Sequence, residues 1–389
     1  MPARYSNGVR REKCVRGGRT LGPMLNVSSM RLPCSFASLV IFSLPSVFVL
    51  SLSACASSEQ QDSPVPNRIQ LRWNDDEARA ALEVMRHAAR SVTITTDDAQ
   101  RLRRSEGYQR LMQREKGMGR EIDDEAFEAF LISADTLKRE RELRDTLDEW
   151  RKADLQAAAA RVLAYLPDEA RIHATVYPVI KPQSNSFVFE VSTDPAIFLY
   201  LDPTLSRDKF ENTVAHELHH IGFASLPKDA TQHPEKVQTV LDWMGAFGEG
   251  FAMLAAAGGP DVHPHEHSSA ADRERWDRDV ASFDADLKKV ERFFLDVLDG
   301  KLATQDDVRQ VAFSFFGVQG PWYTVGWKMA VVVEKRYGRP TLIEGMRHPE
   351  RLLATYNAAA AESNARGNAP MAMWSDDLLA RVGATPIKR

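Results

Sequence analysis

Cysteine is scarce in this chain: three in 389 residues, Cys14, Cys34 and Cys55, and none beyond residue 55. That excludes a disulfide framework from everything downstream, and it leaves Cys55 with a task other than stapling a fold. An excess of positive charge is also missing. Residues 1–54 hold seven Lys or Arg and one Glu of the chain's 50 basic and 54 acidic residues, so the remainder carries about −10 with His neutral. A surface this acidic has no electrostatic footprint for nucleic acid. The basic stretch Arg101 to Arg104 is interleaved with Asp97, Asp98 and Glu106, as on a solvated helix face. No internal repeat of solenoid period occurs.

What is present begins with a leader. A basic segment precedes an uncharged run from Leu32 to Ser58, centred on Leu39-Val40-Ile41-Phe42-Ser43-Leu44. This is the layout of a secretory signal, with translation expected to start at Met24 or Met30. Leu52-Ser53-Ala54-Cys55 resembles the bacterial lipobox, which implies a lipid-modified Cys55 and an extracytoplasmic protein held by the polar linker Ala56 to Asn67. Ala56 after the cysteine implies the outer membrane of a Gram-negative envelope. An uncleaved anchor is the alternative, since the run is about long enough to span a bilayer. The expected organisation is a signal peptide over 1–54, lipidated Cys55 and linker over 55–70, and one domain over 71–389 whose residues 71–165 form a helical N-terminal subdomain.

Past the linker the chemistry concentrates in His216-Glu217-Leu218-His219-His220, an H-E-x-x-H run. On a helix His216 and His220 project from one face, so two imidazoles can hold one Zn2+ while Glu217 reaches the water bound to it. Phe210, Val214, Leu218 and Ile221 recur at spacings of three and four, which predicts a helix with one buried face over Asp208 to Phe223. Upstream, Ile172 to Ile180, Ser186 to Ser192 and Ala196 to Leu201 are short and rich in β-branched and aromatic residues, the pattern of strands. Ala196 to Leu201 suits an edge strand that pairs with an extended peptide; being apolar on both faces, it equally suits an interior strand.

Two histidines leave a catalytic zinc site one protein ligand short. A third histidine six residues on is excluded, because Phe223 and Leu226 occupy the positions for the required Gly and His. Val237 to Ala257 predicts a second helix, interrupted by Gly245, Gly248 and Gly250, in which Glu249 is the only carboxylate after Asp242. An ionised Glu in such surroundings is costly to bury unpaired, so Glu249 is the candidate third ligand. The glycines would let this helix approach its neighbour closely. Asp242, His233 and the His263, His265, His267 tract are the rivals; the tract suits either a solvated loop or a metal-binding or gating one.

Asn212 to His220 and Gly248-Glu249-Gly250-Phe251-Ala252 resemble the gluzincin class of zinc metallopeptidases, in particular zinc-dependent peptidases among bacterial secreted proteins and lipoproteins. Tyr323-Thr324-Val325-Gly326-Trp327-Lys328-Met329-Ala330 looks like their late helix, which packs behind the site. The resemblance runs through most of the chain after residue 70 and is most specific at the metal helix. It implies a zincin-like core, His216, His220 and Glu249 as zinc ligands, and Glu217 as general base. One position departs. Well-studied members carry an Asp four residues after the ligand Glu, where this chain has Met253, so Asn212 or Asp242 is expected to orient a ligand instead.

The expected function is therefore a cell-envelope zinc peptidase that cleaves peptide or protein substrates with a zinc-bound water activated by Glu217. Tyr323 is the candidate donor to the developing oxyanion; an aromatic packed with Trp322 and Trp327 is the equal alternative. His219, about 100° round the helix from His220, is expected to face away. A non-catalytic envelope lipoprotein that binds a peptide or partner is the competing function. The predicted fold is α+β, mostly helical, with a small sheet on the metal helix. Helices are expected at Glu77 to Ser91, Asp98 to Arg114, Asp124 to Ile132, Ala134 to before Pro167, Ala271 to Asp299, Asp306 to Phe316, Trp322 to Tyr337 and His348 to Ala360. The N-terminal helices could cover the cleft or cap it as a prosegment would.

Overall fold

The computed structural model describes residues 68–387 except 121, 228–230 and 368. The leader, Cys55 and the linker as far as residue 67 lie outside these described residues; Ile69 and Gln70, expected at the linker's end, belong instead to the first strand. Four strands form one sheet: β1 (Ile69–Trp73), β2 (Ile172–Val179), β3 (Phe187–Phe189) and β4 (Ala196–Tyr200), in the order β1-β2-β4-β3. β2 pairs parallel with both β1 and β4, while β3 runs antiparallel along β4. Ala196–Tyr200 is thus an interior strand, as its two apolar faces allow, and the edge falls to β3. The expected Ser186 to Ser192 strand contracts to three residues because Glu190 turns into the left-handed region at φ 55°.

Successive residues of β2 face opposite sides, which sets what covers each face. On one side Ile172 meets Gly222 of α8 (Arg207–Ala224), where a Cβ would lie 3.2 Å from Ile172 and 2.3 Å from Leu166. On the other, Tyr177 stacks on Phe198, and Phe198 on Phe187, at 4.8 and 5.1 Å between ring centroids. The helices α1 (Asp76–Ala89) and α3 (Glu106–Gly117) cover that second face, Gly107 of α3 resting on Tyr177 and on Glu77 of α1. These two N-terminal helices therefore back the sheet from the side opposite the metal helix and do not cap it.

Several long helices that the apolar periodicity implies are divided by local turns, whereas those expected over Trp322 to Tyr337 and His348 to Ala360 are at least as long as expected. Between α1 and α3 lies α2 (Thr96–Arg104); Ser105, extended at ψ 139°, separates α2 from α3 and accepts from the Tyr108 N–H. The stretch before Pro167 is three helices, α5 (Ala134–Leu137), α6 (Glu140–Trp150) and α7 (Leu155–Leu163), preceded by α4 (Asp124–Leu131). Ser133 caps α5 and Asp154 caps α7. After α8 come α9 (Glu235–Met244), a 3-10 turn at Gly245–Phe247 and α10 (Gly248–Ala257), in place of one continuous helix. Ser282 divides the expected Ala271 to Asp299 helix into α11 (Ala270–Ala281) and α12 (Phe283–Asp299). α13 (Gln305–Ser314), α14 (Pro321–Tyr337), α15 (Arg339–Arg347), α16 (Pro349–Ala365) and α17 (Asp376–Arg381) complete an α+β fold that is mostly helical. Among the described residues no helix is long and apolar enough to cross a membrane.

The half of the core around α14 is aromatic. Trp322 sits among Phe247, Phe293, Phe294 and Phe315, with its indole N–H donating to the Ala312 carbonyl. This anchorage holds α14 against α10, where glycines on both helices remove the side chains that would part them. A Cβ on Gly326 would lie 2.6 Å from the Phe247 carbonyl oxygen.

Candidate metal centre

α8 is started by Ser206, whose hydroxyl accepts the Lys209 N–H at 3.1 Å, and it runs unbroken through both histidines. The 3-10 turn before α10 places Glu249 in the first turn of that helix, not in the interior of a long one. A carboxylate is favoured there by the positive end of the helix dipole. The two helices bring three donor atoms together. His216 Nε2 lies 3.1 Å from Glu249 Oε2, His220 Nε2 lies 3.3 Å from the same oxygen, and the two Nε2 atoms are 3.2 Å apart. Among the described residues this trio is the one group of three or more His, Cys, Asp or Glu arranged to hold a metal ion.

The donor set suits zinc. Two imidazole nitrogens and a carboxylate oxygen are its ordinary ligands, and two facing Nε2 atoms cannot each satisfy the other without sharing a proton or a cation. Burial opposes ionisation of both partners, yet the Glu249 carboxylate raises His220 to about 9, and the two imidazoles hold Glu249 well below the usual carboxylate range. The trio is thus already a charge-paired cluster.

Glu217, one residue after His216, forms no hydrogen bond or ion pair among the described residues. Its charge is felt by both His220 and Tyr323, so it stands on the metal side of α8. Tyr323, in the first turn of α14, stacks near His216 at 6.3 Å between rings, and its phenol stands beside the Glu249 carboxylate. Burial, with the Glu249 and Glu217 carboxylates, pushes this phenol far above its ordinary range, so it remains a donor.

The remaining candidates do not join the trio. His219 is buried with both ring nitrogens unpartnered, stacks toward Phe223 at 6.5 Å, and is kept neutral by desolvation. His233 is exposed ahead of α9. Asp242 is exposed and accepts from Gln238, and Asn212 is buried one turn before His216 with no hydrogen bond, so neither orients a ligand. His216 Nδ1 is buried without a partner as well. The group that stands beside Glu249 is Tyr323, a placement its helix-start position in sequence did not disclose. In the histidine tract, His263 Nε2 donates to Asp277 at 3.0 Å while its Nδ1 accepts the His265 N–H. His265 is buried between Ser268 and Gln319, and only His267 is exposed.

With this geometry in view, the comparison with known families is specific. The family described as "Putative zinc dependent peptidase (DUF5700)" matches residues 99–365, a span that includes α8, α10 and α14. The chain belongs to this family. Zinc is accordingly its cofactor. No curated protein and no solved structure matches the chain. The family's extent starts within α2, so β1 and α1 stand outside the matched residues although β1 is hydrogen-bonded into the same sheet.

Proposed function

We propose that this chain is a catalytically active zinc peptidase of the cell envelope, of gluzincin type, with His216, His220 and Glu249 as ligands and Glu217 as general base. The observation that carries the reading is the unpaired Glu217 carboxylate beside a converged His-His-Glu trio; a purely structural zinc needs no such base. Held by His216, His220 and Glu249, zinc would supply an acidified water, of pKa about 7, and Lewis-acid polarisation of a carbonyl. Glu217 takes the proton and delivers it to the leaving amine, a contribution of about 10² to 10⁴ in rate. Tyr323 stands beside Glu249, and its phenol is the candidate donor to the developing oxyanion. A zincin-like core is supported by the order sheet, metal helix, second ligand helix, and by the antiparallel edge strand β3, whose free edge suits an extended peptide. The envelope location rests on the leader and Cys55, through which a lipid anchor would hold the protein at the membrane.

The test is zinc analysis and peptide cleavage on residues 56–389. The wild type should carry about one zinc per chain, His216→Ala should lose it, and Glu217→Gln should keep it while cleavage falls about 10²-fold or more. Zinc-loaded wild type that cleaves nothing across a broad peptide library would replace this reading with the non-catalytic binding lipoprotein.

A further inference from the structure

The metal helix reaches solvent along a single stripe besides its outer flank. Between residues 209 and 220 of α8, Phe210, Asn212, Val214, Ala215, Leu218 and His219 are buried. Glu211, partly exposed, lies on the flank, where it accepts the Asp154 N–H. Lys209, Thr213, His216, Glu217 and His220 are partly exposed and share one side of the helix. That side carries two of the trio, His216 and His220, and under the peptidase reading it is the floor of the substrate groove. Lys209 precedes His216 by seven residues, so the two side chains leave the helix in nearly the same direction, roughly 10 Å apart along its axis.

Lys209 is half-buried and its ammonium makes no hydrogen bond or ion pair among the described residues. Its acidic neighbour Asp272 is committed elsewhere: one oxygen pairs with Arg275 at 2.6 Å and the other accepts from Ser269 at 2.8 Å. His265, which senses the Lys209 charge, offers no counter-charge because burial and that charge push its imidazole down to about 4. Thr213, next along the stripe, spends its hydroxyl on the Lys209 carbonyl. An unpaired cation partly removed from water costs free energy, which an incoming anion would recover.

We propose that Lys209 is a specificity residue of the groove, binding a substrate carboxylate about three residues from the scissile bond. The spacing follows from the rise of an extended peptide, about 3.3 Å per residue, over the axial distance from His216. The carboxylate is either the chain end of a peptide or the side chain of an Asp or Glu. The proposal rests on the peptidase reading above.

Short, otherwise neutral, internally quenched peptides test it on the zinc-loaded protein. One series carries Glu or Gln at each position up to about four residues on either side of the cleaved bond; the other ends in a free or an amidated carboxyl group. Wild type should prefer the acid over its amide by about 10- to 100-fold in kcat/KM, chiefly through KM, at a position about three residues out. Lys209→Met should abolish the preference while cleaving the amide peptides as wild type does, and Lys209→Arg should retain it. The series that shows the preference identifies the source of the carboxylate. Cleavage without an acid preference, or a preference that survives Lys209→Met, overturns the proposal and leaves the peptidase reading intact. If no peptide in either series is cleaved, both fall.

Discussion

A Cβ on Gly250 would lie 2.1 Å from the backbone nitrogen of Trp327 and 2.5 Å from the Tyr323 carbonyl oxygen. This closeness of α10 to α14 fixes the distance between Glu249, the preceding residue, and Tyr323. Neither backbone can yield locally, since each belongs to a helix. Gly250→Ala should therefore cost about 3 kcal/mol or more in denaturant unfolding, and any folded fraction should bind zinc more weakly. An unchanged unfolding midpoint would mean the two helices are not in contact as described.

Glu249 is the member of the trio, and the proposed ligand, drawn from outside α8. Glu249→Gln keeps its size but removes the negative charge that pairs with both imidazoles. Loss of a direct ligand should exceed the roughly 10- to 100-fold effect of losing an outer partner, so zinc affinity measured by chelator competition should fall about 100-fold or more. Affinity equal to wild type would remove Glu249 from the coordination set.

Tyr323→Phe deletes only the phenol that stands beside Glu249. Zinc should still bind at about one per chain, with affinity reduced about tenfold, and kcat should fall further than KM changes. The phenol stays protonated throughout the working range, so the variant should keep the wild-type pH profile. Altered KM with unchanged kcat and zinc affinity would reduce Tyr323 to a packing residue.

Away from the site, Glu77 is fully buried on α1 and accepts the Ile180 N–H, with one oxygen unpartnered. Desolvation raises its carboxyl to about 8, against the backbone hydrogen bond and Lys181, which pull the other way. A raised folded-state value means the folded protein holds a proton that the unfolded chain releases near its ordinary value of 4.5. This contribution to stability is complete below about pH 4.5 and is lost progressively as pH rises toward about 8. Unfolding free energy of wild type should fall across that window, and in Glu77→Gln the fall should be smaller. Parallel pH curves for the two proteins would show that Glu77 does not titrate there.

The convergence of His216, Glu217 and His220 is legible in sequence because a helix converts a spacing of four into a shared face, whatever the rest of the fold does. Glu249 is legible for a related reason: a lone charge in an apolar segment calls for a partner. The breaks at Ser105 and Ser282 were obscured because apolar periodicity continues across them, while their cause is local capping and backbone turning. β1 escaped because its five residues gain their partner from β2, about a hundred residues later, and no local signal announces a parallel pairing.

By itself the sequence determined that two imidazoles and a carboxylate share one face of a helix, that a lone acid stands in a second apolar segment, and that glycines lie where helices touch. Tertiary structure alone decided which strand is the edge, which side the N-terminal helices cover, that His263 and His265 are spent on hydrogen bonds, and that Tyr323 stands beside Glu249. The division has one physical source. Helical spacing is set by bonds four residues apart, whereas the identity of a neighbour across an interface depends on packing among segments whose separation along the chain carries no record of it.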